Sequence, residues 1–168
     1  MSASPSHTSP RTTVTRPVDR LLVEYGASHR NQTNKLIHWI AVPAIFWCVL
    51  ALLSEVPFPA ALRVVPWLDW AVVAAVLATL YYLALSVPLA LGMAAFSALC
   101  LVLIHILRGG PYPVWQAALV IFAVAWICQF IGHAIEGRRP SFFKDVQFLM
   151  IGPIWLVSHV YRRLGFAY

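Results

Sequence analysis

Charge is what this sequence has least of. Among 168 residues there are twelve Lys and Arg and six Asp and Glu, so charged residues make up 11% and hydrophobic residues 61%. A soluble domain carries roughly 25% charged residues and about 45–50% apolar ones. A chain this small has too much surface to cover with so few charges. A water-soluble globule is therefore excluded, and lipid is the natural solvent for the surplus. Cysteine is also scarce. Cys48, Cys100 and Cys128 each lie inside an apolar run without a CxxC partner, so no disulfide framework is expected and they read as small hydrophobes. Neither HExxH nor GxSxG occurs, no acid-pair motif stands out, and no internal repeat is visible. The absence of GxSxG ranks a head-group hydrolase last among the readings. The net charge of +6 forms no stripe, so nucleic-acid binding is not expected.

What is present is a series of long apolar runs. The first spans 37–53, seventeen residues with Pro43 inside, which a membrane helix tolerates. Residues 70–107 carry no charge over 38 positions, too many for one crossing and enough for two. The residue before a proline resists the helical conformation, so Val87-Pro88 is the expected break in a helical hairpin near 70–86 and 89–107. Arg108-Gly109-Gly110-Pro111 ends that hairpin. A fourth run covers 113–135 and a polar loop 136–145. The last run, 146–160, is fifteen residues interrupted by Gly152-Pro153, short for a span. The expected fold is all-α: an integral membrane bundle of about four transmembrane helices with a short re-entrant or fifth C-terminal segment. Residues 1–17, rich in Ser, Thr and Pro and without an apolar core, are expected to be a disordered tail. Residues 18–168 are expected to form a single transmembrane domain.

The basic residues orient the bundle. Arg11, Arg16, Arg20, Arg30 and Lys35 precede the first run, Arg138, Arg139 and Lys144 follow the fourth, and Arg162 and Arg163 follow the last. Four crossings put these clusters on one side, which the positive-inside rule makes cytoplasmic, provided the last segment enters and returns.

That side also collects the polar residues. Asn31, Asn34 and His38 follow i, i+3, i+7 at the entry of the first helix, and Gln129, His133 and Glu136 follow i, i+4, i+7 at the exit of the fourth, so each set shares one helical face. His29 precedes His38 by nine residues and must sit ahead of the helix to face the same site. Polar groups at membrane depth usually face the bundle interior and mark function. Several neutral imidazoles converging at one depth suit a divalent transition metal, Fe(II), Zn(II) or Mn(II), and six histidines support one ion at most. His159 joins them if the last segment returns. His105, at the other end, is expected to be a bystander.

Two stretches, YGASHRNQTNKLIHWIAVP and QFIGHAIEGRRPSFF followed by IGPIW, resemble the 2-hydroxy fatty acid dioxygenase family of membrane α-oxidation enzymes. The resemblance covers nearly the whole chain after residue 17. It implies an Fe(II)-dependent oxidoreductase that uses O₂ to shorten a 2-hydroxy fatty acid by one carbon. His29 and His38 match the first motif, and His133 with Glu136 the second. The metal ligands expected on this basis are His29, His38, His133 and, as the fourth, His159, which stands where family members often carry another polar residue. Glu136 and Asn34 are the expected catalytic residues. Arg138, Arg139 and Lys35 are expected to hold the substrate carboxylate, and Asn34 or Gln129 to support the ligating histidines. The expected membrane is a bacterial inner one. The alternative is a non-catalytic lipid-binding or scaffold protein whose His and Asn residues bond helix to helix.

Overall fold

The computed structural model describes residues 16–137 and the backbone of 142–168, with side chains from 149 onward. Of the expected tail, residues 1–15 lie outside the described residues. Pro17 opens a helix, α1 (Pro17–Ala27), with its missing N–H in the first turn, where helical donors lack partners anyway. Val18, Leu22 and Tyr25 repeat at i, i+4, i+7 and are all buried, so α1 is held by one apolar stripe. A short turn leads to α2 (Gln32–Ser54). Asn31 caps it, its side-chain oxygen accepting from the Thr33 and Asn34 amides at 2.8 and 3.3 Å. At 1.5 Å per residue, α2 is about 34 Å long, enough to cross a bilayer core of about 30 Å.

After a loop containing a 3-10 turn (Ala60–Leu62), Asp69 caps α3 (Trp70–Leu85) by accepting from the Val72 amide at 3.0 Å. The hairpin breaks at Ser86, and Val87 and Pro88 form the first turn of α4 (Val87–Leu107). The break falls one residue earlier than expected because proline is tolerated in a helix's first turn. Arg108 closes the other end, bonding the Ser54 carbonyl at 2.9 Å, Asp69 at 3.3 Å and Glu55 at 3.5 Å. The 16-residue α3 is about 24 Å long, shorter than α4. Next, α5 (Val114–Glu136) ends at Gly137, whose φ of +71° is the left-handed turn that glycine adopts freely. It packs mainly on α2.

Three of these helices, α2, α4 and α5, are long and apolar enough to span a membrane. Ile40, Leu91, Leu99, Val120 and Ile127 are each more than half exposed, as suits helices that face lipid. The protein is a membrane helical bundle.

The last element is one continuous helix, α6 (Phe142–Arg163), running through Pro153. The expected interruption at Gly152-Pro153 is absent: an interior proline costs a helix one hydrogen bond, which a membrane bundle tolerates where neighbours satisfy the freed groups. The buried Tyr82 hydroxyl donates to the Met150 carbonyl at 2.8 Å, beside the Leu149 carbonyl that Pro153 cannot reach. Nor does the second half of α6 follow α2 lengthwise. From Gly152 to Arg163 it covers about 16 Å yet faces a single turn of α2. A Cβ added to Gly152 would lie 3.1 Å from Val42, while His159 and the Arg163 guanidinium lie 6.3 and 5.7 Å from the Trp39 ring. Tyr161 donates to the Pro88 carbonyl at the hairpin turn, at 3.0 Å. So the second half of α6 lies crosswise to α2, in the half of the bundle where α2 begins and α5 finishes. Arg162 and Arg163 are at that end, with Arg30 and Lys35.

Candidate metal centre

Three elements deliver one imidazole each to that end. His29 lies in the turn between α1 and α2, ahead of the helix that carries His38. His133 lies one turn from the end of α5. His29 and His38 are buried, at 1% and 2% exposure, and His133 is half-buried. Ring centroids are 4.2 Å apart for His29–His38, 5.1 Å for His38–His133 and 5.8 Å for His29–His133. One ligand nitrogen from each lies within 4.8 Å of the other two.

Backbone carbonyls orient two of the rings. The Nδ1–H of His29 donates to the Tyr25 carbonyl at 2.7 Å, and that of His38 to the Asn34 carbonyl at 2.9 Å. Both bonds reach back four residues, and both fix the tautomer that keeps the lone pair on Nε2. Metal-ligating histidines are held in this way. Tyr25 also stacks on His29, with centroids 4.3 Å apart and planes 21° apart.

Glu136 is not among the converging ligand atoms. Its carboxylate accepts from the Arg30 amide at 2.8 Å, the Asn31 amide at 2.9 Å and the Asn34 side-chain amide at 3.0 Å. Asn34 therefore supports His38 through its carbonyl and Glu136 through its side chain. His159 donates Nδ1–H to the Trp155 carbonyl at 2.8 Å and packs on the Trp155 ring at 4.1 Å. Since that ring faces His29 at 6.0 Å, His159 stands one aromatic ring away from the three histidines. Lys35 is half-buried on α2 and makes no ion pair among the described residues. Arg138 and Arg139 lie outside the described residues. His105 is exposed at the opposite end.

The three histidines open into a pocket walled by Val42, Ile45, Trp126, Phe130 and Leu149, with Gln129 as a further polar wall residue. Residues 126, 129, 130 and 133 repeat at i, i+3, i+4, i+7, so one face of α5 runs from the imidazole level into the apolar interior. Sequence reasoning missed Tyr25, Trp126 and Trp155. Tyr25 had a signal, since it completes the buried stripe of α1 and sits four residues before His29. Trp155 closes the IGPIW stretch of the resemblance, but its place beside His29 depends on how α6 packs.

The donor set fits one divalent transition metal: neutral nitrogen donors, two with fixed tautomers, in a mostly apolar pocket that restricts water. Among the described residues no carboxylate joins them.

Residues 15–164 match the protein family described as 2-hydroxy-palmitic acid dioxygenase Mpo1-like. The chain belongs to this family. It is also similar to the 2-hydroxy-palmitic acid dioxygenase MPO1 of Saccharomyces cerevisiae, at 29% identity over 144 residues, covering 84% of this chain and 78% of the yeast protein. No solved structure matches. The matched stretch includes all three histidines, Asn34 and Glu136, so every part of the centre lies within the region that defines the family.

Proposed function

We propose that this Mpo1-like protein is an Fe(II)-dependent dioxygenase that shortens a 2-hydroxy fatty acid by one carbon, with His29, His38 and His133 as the metal ligands. The observation that carries the reading is the convergence of these imidazoles at the mouth of a mostly apolar pocket at the end of a membrane bundle. The family membership and the likeness to the yeast enzyme support the substrate class and the use of O₂.

Fe(II) bound there supplies the activation of O₂ and a positive centre for the substrate oxygens. The chain's own residues do the rest. The Nδ1–H bonds to the Tyr25 and Asn34 carbonyls hold two imidazoles ready, so ordering them does not oppose metal binding. Val42, Ile45, Phe130 and Leu149 receive the first part of the acyl chain, whose burial is worth about 0.8 kcal/mol per methylene. A polar head is thereby kept at the level of the imidazoles. Gln129 is placed to hydrogen-bond a hydroxyl or carboxylate. Lys35, at the same end, adds positive potential for an anionic head, and Arg138 and Arg139 are the neighbouring cations of the chain. The positive-inside rule puts this end at the cytoplasmic face.

The test is product analysis. Iron-loaded protein given 2-hydroxypalmitic acid and O₂ should release the acid one carbon shorter, identified by mass spectrometry. Release of no shorter acid by iron-loaded, folded protein would sink the reading.

A further inference from the structure

Glu136 is the last residue of α5 and lies three positions beyond His133, on the same face. Both of its oxygens are engaged, and all three donors belong to one short stretch at the start of α2: the Arg30 and Asn31 amides and the Asn34 side chain. A helix N-terminus has amides without intrahelical partners and the positive end of the helix dipole, and a carboxylate satisfies both. Such charge-assisted bonds are stronger than neutral ones.

A second contact lies on the other side of His133. A Cβ added to Gly132 would stand 2.4 Å from the Asn34 Oδ1, so α5 approaches α2 there as closely as a residue without a side chain allows. His133 is flanked by these two contacts, and Asn34 takes part in both. The Asn34 carbonyl meanwhile holds the His38 ring.

We infer that Glu136 is the latch of the metal centre: a positioning residue that fastens the end of α5 to the start of α2 and so sets His133 against His29 and His38. It is neither a ligand nor a proton carrier. The inference rests on the metal-binding part of the proposed function and not on its oxidation chemistry.

The test uses the full chain in detergent under anaerobic conditions, with Co(II) alone as the probe, followed by its visible absorption. Glu136→Gln keeps one carbonyl oxygen but turns an NH₂ toward donors. Its Co(II) dissociation constant should rise roughly 10- to 100-fold, the usual consequence of losing a group that orients a ligand. The cobalt spectrum should change while the far-ultraviolet circular dichroism does not. In a His133→Ala background the same substitution should cost nothing further, because the ligand it positions is gone. Gly132→Ala, which keeps the carboxylate but displaces Asn34, should give the same background-dependent loss and serves if Glu136→Gln does not fold. Parent-like affinity and spectrum in Glu136→Gln would overturn the latch, as would an equal loss in both backgrounds. A parent that takes up no Co(II) would overturn the latch and the metal reading together. A parent that binds the metal but turns over no 2-hydroxy acid would overturn the chemistry alone.

Discussion

Two of the three imidazoles are set by the same local device, an Nδ1–H bond to a carbonyl four residues earlier. His38→Ala and His133→Ala should each lose most of the iron that the parent retains after anaerobic purification, measured by elemental analysis. His159→Ala should keep it, because the Trp155 ring stands between His159 and the three histidines. Iron loss in His159→Ala equal to that in His133→Ala would place His159 at the metal. Much of this was legible in the sequence. Helical spacing puts Asn34 and His38 on one face and His133 and Glu136 on another, and the nine-residue interval puts His29 ahead of α2. The position of His159 was not legible, because it follows from the crossing of α6 over α2, which no local pattern encodes. Nor was the engagement of Glu136, since two of its three donors are backbone amides a hundred residues away, which any residue type supplies.

The elements carry two further consequences. Asn31 gives α2 its N-cap, and Asn31→Ala should destabilise the protein by about 1 kcal/mol, read as a lower midpoint of thermal unfolding in detergent. Tyr82 reaches across from α3 to the Met150 carbonyl, next to the bond that Pro153 removes. Tyr82→Phe should cost about 1 kcal/mol in the same assay, with bound iron unchanged. An unaltered midpoint would mean that the hydroxyl contributes nothing to carrying α6 through the proline. The helices of the hairpin were legible because 38 uncharged residues allow little else. The continuity of α6 was not, because the Gly152-Pro153 signal acts locally, while the hydroxyl that supports the helix there comes from another element. A search for long apolar runs also passes over α1, whose 11 residues bury only one stripe.

At the scale of the molecule, the crosswise α6 decides the distribution of charge. It keeps Arg162 and Arg163 at the end that holds Arg30 and Lys35, and leaves Arg63 and Arg108 at the other. Single cysteines replacing Arg30 and Arg163 should react with a membrane-impermeant thiol reagent from the same side of sealed vesicles, and one replacing Arg63 from the opposite side. Reaction of the 163 and 63 positions from a common side would mean that α6 crosses the membrane. The same arrangement leaves the three histidines at the end of the bundle that holds Arg30, Lys35, Arg162 and Arg163.

The proposed pairing of a three-histidine metal centre with an acyl-binding pocket is most directly tested by oxygen consumption on mixing. Iron-loaded parent protein should consume O₂ in step with the loss of 2-hydroxypalmitic acid. It should consume none with palmitic acid, and His133→Ala should consume none with either. Equal uptake with both acids, or undiminished uptake by His133→Ala, would contradict the account.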